Sequence, residues 1–88
     1  MSPYLAFNYI NYESTDDGKV KYFTYPTPAD KYDYLSCYVA QHAVESVMVI
    51  YDENLVEIHL INGKLYSIDF PDSKTLREWH HRYFKEMG

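Results

Sequence analysis

Three runs of β-branched and large apolar residues follow one another late in the chain: Ser46-Val-Met-Val-Ile-Tyr51, Leu55-Val-Glu-Ile-His-Leu-Ile61 and Lys64-Leu-Tyr-Ser-Ile-Asp-Phe70. Asp52-Glu53-Asn54 and Asn62-Gly63 separate them. Such runs, punctuated by Asn, Asp and Gly, predict antiparallel hairpins. A two-residue turn at Asn62-Gly63 would set Val56, Ile58 and Leu60 on the face of Leu65, Ser67 and Asp69. A three-residue loop, Ile61-Asn62-Gly63, sets them with Tyr66, Ile68 and Phe70. Only the second unites the apolar set, because one step of slip turns every side chain to the other face. A bulged turn with Gly63 in the left-handed conformation is therefore expected. The same arithmetic at Asp52-Glu53-Asn54 pairs Tyr51 with Leu55 and aligns Met48 and Ile50 with Val56 and Ile58. Asn54 tolerates the left-handed conformation better than most residues.

The stretch that follows predicts a helix suited to this meander. Pro71 ends the last strand and Asp72 or Ser73 can cap the helix. Leu76, Trp79, His80, Tyr83, Phe84 and Met87 then fall on one stripe, with Lys74, Arg77, Glu78, His81, Arg82, Lys85 and Glu86 opposite. Met48, Ile50, Val56, Ile58, Leu60, Tyr66, Ile68 and Phe70 form the sheet face it would cover. Each large apolar side chain so buried contributes roughly 1.5–3 kcal/mol. The other face carries Val47, Val49, Tyr51, Leu55, Glu57, His59, Ile61, Leu65, Ser67 and Asp69. That is too apolar for a freely solvated face. Either an earlier helix or another molecule is expected to cover it.

Upstream, Tyr4 to Tyr12 and Lys19 to Tyr25 alternate as strands. Between them Glu13-Ser-Thr-Asp-Asp-Gly18 forms a polar turn. Thr27 as cap, Pro28 at the first helical position and Asp30 in the first turn predict a helix from Pro28 to Ala43, with Leu35, Tyr38, Val39 and His42 on one face. The expected architecture is α+β: one domain over residues 1–88, with an antiparallel sheet of about five strands and two helices in the order ββ-α-βββ-α.

Composition narrows the function classes. Eighty-eight residues make one domain, and 47% apolar residues argue against global disorder. Eleven tyrosines supply large rings with polar handles, a residue type favoured at protein interfaces as well as in strands. Cys37 is the lone cysteine, which excludes an intrachain disulfide and fits a reducing compartment. The opening residues lack a basic segment followed by an apolar run, and no apolar run reaches membrane-spanning length. A cytoplasmic protein is expected, with no membrane contact. Net charge is −5, with residues 1–72 at −7 and residues 73–88 at +2. That balance disfavours direct binding to a nucleic-acid backbone and suits a protein partner with a basic surface.

Catalytic and metal-ligating patterns do not assemble. Zinc needs three or four converging N or S donors. Cys37 and His42 are five residues apart, off the contacting spacing of a helix, and adjacent His80 and His81 point in different directions. Two of the three glycines lie in expected turns and the third, Gly88, is the last residue, so no phosphate-cradling loop is present. The basic residues Lys74, Arg77, Arg82 and Lys85 are interspersed with Glu78 and Glu86, as on a solvated helix face. No enzyme, metal or cofactor is expected. The candidate partner-binding residues form an acidic aromatic rim: Tyr12, Glu13, Asp16, Asp17, Tyr51, Asp52 and Glu53, joined by Glu57 and His59 on the second sheet face.

Asn62-Gly63-Lys64, Asp69-Phe70, Asp72-Ser73, Leu76 and Trp79 together resemble part of a family of small phage-encoded anti-CRISPR proteins that act on type I-F surveillance complexes. The likeness covers residues 62–79. It implies a small antiparallel sheet with helices, and an inhibitor that blocks target-DNA binding by occupying the protein backbone of the complex. This chain departs from the family in the Pro before Asp72-Ser73, in a longer N-terminal region and in an extra expected helix. The matched positions are scaffold, so no functional residue carries over. The reading that follows is a non-enzymatic, phage- or mobile-element-encoded inhibitor of a host nucleic-acid-handling defence complex, such as a CRISPR effector or other nuclease complex, acting in the host cytoplasm. The alternatives are an immunity or antitoxin protein masking a toxic nuclease, and a small structural domain that self-associates as a homodimer.

Overall fold

The computed structural model describes residues 3–24 and 34–87, with side chains through Arg82. It is an α+β fold of seven strands in two sheets and one C-terminal helix among those residues. The strands are β1 (Tyr4–Tyr9), β2 (Asn11–Ser14), β3 (Lys19–Phe23), β4 (Leu35–Ala40), β5 (Val44–Ile50), β6 (Leu55–Leu60) and β7 (Leu65–Asp69). The helix, α1, spans Ser73–Met87. Five strands form one sheet in the order β2-β3-β7-β6-β5, and β1 pairs with β4 in a separate two-stranded ribbon. All neighbours are antiparallel except β3 and β7, which run parallel.

The β6–β7 turn forms as its sequence requires. Leu60 N–H donates to the Lys64 carbonyl at 2.9 Å, and Gly63 holds φ at +88°. Val56 pairs with Ile68 and Ile58 with Tyr66. The β5–β6 turn is one residue longer than expected. Tyr51–Glu53 make a short 3₁₀ turn and Asn54 takes the left-handed conformation at φ 52°. Ile50 therefore pairs with Leu55, Val49 with Val56 and Val47 with Ile58. That single residue corrects the expected register. Val47 and Val49 lie on the core face, while Met48 and Ile50 turn to the other.

The helix expected from Pro28 to Ala43 is not formed over the described part of that span. Leu35–Ala40 is strand β4 and Gln41–Ala43 a 3₁₀ turn, so the ββ-α-βββ-α order does not hold. Positions 28–33 lie outside the described residues. In Leu35-Ser-Cys-Tyr-Val-Ala40 the apolar positions satisfy periods of both 3.6 and 2, an ambiguity that short runs cannot resolve locally. Pairing resolves it: Leu5 faces Val39 and Phe7 faces Cys37 across the ribbon.

The N-terminal stretch also divides. Tyr4–Tyr9 belongs to the ribbon and Asn11–Ser14 to the large sheet, with a break at Ile10. Tyr9 and Tyr12 are three apart, an odd step for two rings that must face the same interior. One extra residue at the corner lets the chain switch sheets. Ile10 N–H donates to Phe23 at 2.8 Å and anchors that corner.

The core lies between the large sheet and a layer made of the ribbon and α1. Leu5, Phe7 and Val39 from the ribbon, Tyr22, Val56, Ile58, Leu60, Ile68 and Phe70 from the sheet side, and Leu76 and Trp79 from the helix are buried together. Trp79 binds the layers: its Nε1–H donates to the Ala6 carbonyl at 3.0 Å, and its ring lies 5.7 Å from Phe70. Asp72 caps α1 by accepting the Thr75 N–H at 2.7 Å. No helix among the described residues is long and apolar enough to cross a membrane.

Ile58 is fully buried and Met48 is half exposed. Ile58→Ala is expected to cost about 2–5 kcal/mol by denaturant unfolding, against roughly 0.5 kcal/mol or less for Met48→Ala. Equal losses would contradict the register. The Thr75 backbone amide holds the Asp72 carboxyl below the usual carboxylate range. A depressed pKa means stabilisation that is present above the unfolded-state value and lost as pH falls through the folded one. Asp72→Asn, which keeps a cap without the titrating group, is expected to flatten the acid limb of a melting-temperature profile. Asp72→Ala is expected to lower the melting temperature at neutral pH.

Candidate functional site

The large sheet has one covered face and one open face, and pairing assigns every side chain to one or the other. Three cross-strand rows make the open face. The first runs Asn11, Phe23, Asp69, Leu55, Ile50; the second Glu13, Lys21, Ser67, Glu57, Met48; the third Lys19, Leu65, His59, Ser46. None of these fourteen side chains is buried, whereas Tyr22, Val56, Ile58, Leu60 and Ile68 on the opposite face all are. The ribbon and α1 both lie on the covered face, as Phe7 against Tyr22 at 4.9 Å and Leu76 in the core require. The expected helical cover for the second face is therefore replaced by a strand that packs on the other side.

The chemistry of the open face is mixed. Leu55, Ile50 and Met48 give an apolar patch on β5 and β6, and Asp69 separates it from Phe23. Lys21 stands between Glu13 and Ser67, reaches Asp69 at 3.7 Å and lies 5.5 Å from the centre of the Phe23 ring. This exposed pair contributes little to stability, on the order of 1 kcal/mol or less. Glu57 sits between Ser67 and Met48. His59 is half-buried, and its Nε2 is out of solvent with no hydrogen-bond partner among the described residues.

The nine expected partner-binding residues do not form one rim. Glu13, Glu57 and His59 share the open face. Tyr12 points to the other side, where its ring meets Tyr9 and Tyr22 at 6.2 Å each. Asp16 and Asp17 occupy the β2–β3 turn at the start of β7, where the Gly18 carbonyl accepts the Leu65 N–H at 3.2 Å. The Thr15 hydroxyl, and then the Lys19 ammonium at 3.8 Å, hold the Asp17 carboxyl below its usual range. Tyr51, Asp52 and Glu53 lie at the far end, where the Asn54 carbonyl accepts the Phe70 N–H at 2.8 Å. The length of β7, roughly 17 Å at ~3.3 Å per residue, separates the two acidic turns. They also flank opposite edge strands, β2 and β5.

Two clusters were not anticipated. Phe7, Tyr9, Tyr12, Tyr22 and Tyr66 pack ring against ring around Tyr22, whose hydroxyl lies 4.0 Å from the Cys37 Sγ. Burial raises the pKa of both the Tyr22 phenol and the Cys37 thiol. A thiol pushed up in this way is the reverse of an activated nucleophile. The second cluster is a concavity of about 230 Å³ lined by Tyr51, Arg77, His80 and His81. The spacing of Arg77, His80 and His81 at i, i+3 and i+4 was readable in the sequence; the approach of Tyr51 was not. No group of three or more His, Cys, Asp or Glu that could hold a metal occurs among the described residues.

Comparison with protein-family models, with curated proteins and with solved structures finds no match to this chain. Cys37 is expected to react with a disulfide reagent at neutral pH more slowly in the folded chain than in denaturant. Equal rates would show that the thiol is not desolvated.

Proposed function

We propose that this chain is a non-enzymatic protein-binding inhibitor that docks the open face of its large sheet onto a partner with a basic surface. The observation that carries this reading is the apolar patch of Leu55, Ile50 and Met48 on β5 and β6. It lies on a face where no side chain is buried, with Asp69 beside Leu55 and Glu57 beside Met48. An apolar patch with a polar surround is the anatomy of a protein interface. The face holds Glu13, Glu57 and Asp69 against Lys19 and Lys21, and residues 1–72 carry −7 overall, so a basic partner is the complementary one. The local resemblance over residues 62–79 supports a phage or mobile-element origin, a host nucleic-acid-handling defence complex as target, and action in the host cytoplasm. Contact is made to protein rather than to nucleic acid.

A second reading, self-association, draws on one observation. Strand β5 is an outer edge of the large sheet and carries half-exposed Met48 on the open face. A free edge strand beside apolar surface is a template for pairing with a second copy. Light scattering separates the two: a monomer removes this alternative.

The immobilised chain is expected to capture a basic protein or complex from host lysate in a salt-sensitive manner. Glu57→Lys and Met48→Asp are expected to abolish that capture, while Asp16→Lys in the remote turn leaves it intact. Capture unchanged by Glu57→Lys and Met48→Asp would overturn the open face as the docking surface.

A further inference from the structure

The concavity between the β5–β6 turn and α1 has Arg77 as its formal charge, with two histidines beside it, although the chain as a whole is acidic. Residues 73–88 hold both arginines and carry +2 within a chain of −5. Arg77, His80 and His81 project from consecutive turns of α1 toward Tyr51, and these four line the depression. Arg77 is exposed and makes no ion pair among the described residues. The Tyr51 hydroxyl and His80 Nδ1 share a hydrogen bond of 2.6 Å, which holds the phenol and the imidazole together across the gap. Asp52 and Glu53 follow Tyr51 in the turn and Glu78 follows Arg77 on the helix, but none of the three is among the lining residues.

From this geometry we infer a binding site for a phosphate group, either the free ion or the monoester of a small molecule. A guanidinium offers a planar fork of donors that matches two phosphoryl oxygens. The imidazole of His81, on the helix, and the hydroxyl of Tyr51, on the turn, line the same depression, and the hydroxyl can donate to a phosphoryl oxygen when His80 Nδ1–H donates to it. Donors from three side chains on two elements suit the several oxygens of a phosphate better than the two of a carboxylate. The Tyr51 ring also supplies an apolar wall for a group esterified to the phosphate. The site lies on α1 and the β5–β6 turn, and does not depend on the docking face of the sheet.

The test is an NMR titration of the full chain with inorganic phosphate and, separately, with a nucleoside monophosphate (AMP). Both probes are expected to shift the Tyr51, Arg77, His80 and His81 resonances saturably. Arg77→Gln is expected to weaken binding roughly tenfold or more, the loss of a charge-assisted pair. Tyr51→Phe is expected to weaken it less. Arg82→Gln, outside the concavity on the same helix, is expected to change nothing. Arg77 and Tyr51 are exposed, so unchanged melting temperatures will show that both variants fold. Tighter binding of AMP than of phosphate would assign the ring a share, and equal binding would assign recognition to the phosphoryl group alone. Either sustains the site. Failure to saturate, shifts spread along α1, or equal losses for Arg77→Gln and Arg82→Gln would overturn it.

Discussion

Gly63 stands at φ +88°, a conformation that a residue with a Cβ adopts only under strain. With it, Ile61-Asn62-Gly63 close the β6–β7 turn so that Val56, Ile58 and Leu60 share a face with Tyr66, Ile68 and Phe70. The rest of the molecule rests on that register. Ile58, Val56 and Ile68 are wholly buried because every other element of the core packs against this one face. Moving the turn by one residue, with Val56, Ile58 and Leu60 still facing inward, would place Ser67 and Asp69 beneath the ribbon and the helix and turn Tyr66 and Ile68 out. Burying those groups without partners would outweigh what the exchanged apolar residues return.

Given one strongly apolar face, the chain covers it with two unlike pieces. The β1–β4 ribbon brings Leu5, Phe7 and Val39, and α1 brings Leu76 and Trp79. The Trp79 indole joins them through the Ala6 carbonyl, so the helix is held by a directional bond as well as by area. The tyrosine-rich cluster around Tyr22 then fills the corner where the N-terminal stretch passes from one sheet to the other. Four of the eleven tyrosines meet in this corner. Tyr22 is a core residue and Tyr9, Tyr12 and Tyr66 are its neighbours.

The consequence for function is a division of surfaces. Both covering pieces sit on the same side, so among the described residues no element lies over the opposite sheet face, which carries Leu55, Ile50 and Met48 next to Asp69 and Glu57. The two acidic turns stand apart at opposite ends of β7. The basic helix faces elsewhere and shapes its own depression with Tyr51. The sheet face and the helix thus present separate chemistries on separate surfaces.

What the residues themselves determined is whatever a local conformational rule decides. Gly63 and Asn54 at left-handed positions, the Asp72 cap and the stripe of Leu76 and Trp79 were all legible, because each depends on neighbours within a few positions. So was the pairing of β6 with β7, where only one register unites the apolar set. The β5 register was not. Met48 and Ile50 are as apolar as Val47 and Val49, so either register satisfied the pattern, and a four-residue turn selected the second. Leu35–Ala40 likewise carried a pattern compatible with helix or strand, and only the presence of Leu5 and Phe7 across from Val39 and Cys37 made it a strand. The parallel pairing of β3 with β7, the split at Ile10 and the closeness of Tyr51 to α1 join residues more than twenty-five positions apart or hinge on a corner between sheets. Such relations are set by how the layers close over one face, which no short window of sequence contains.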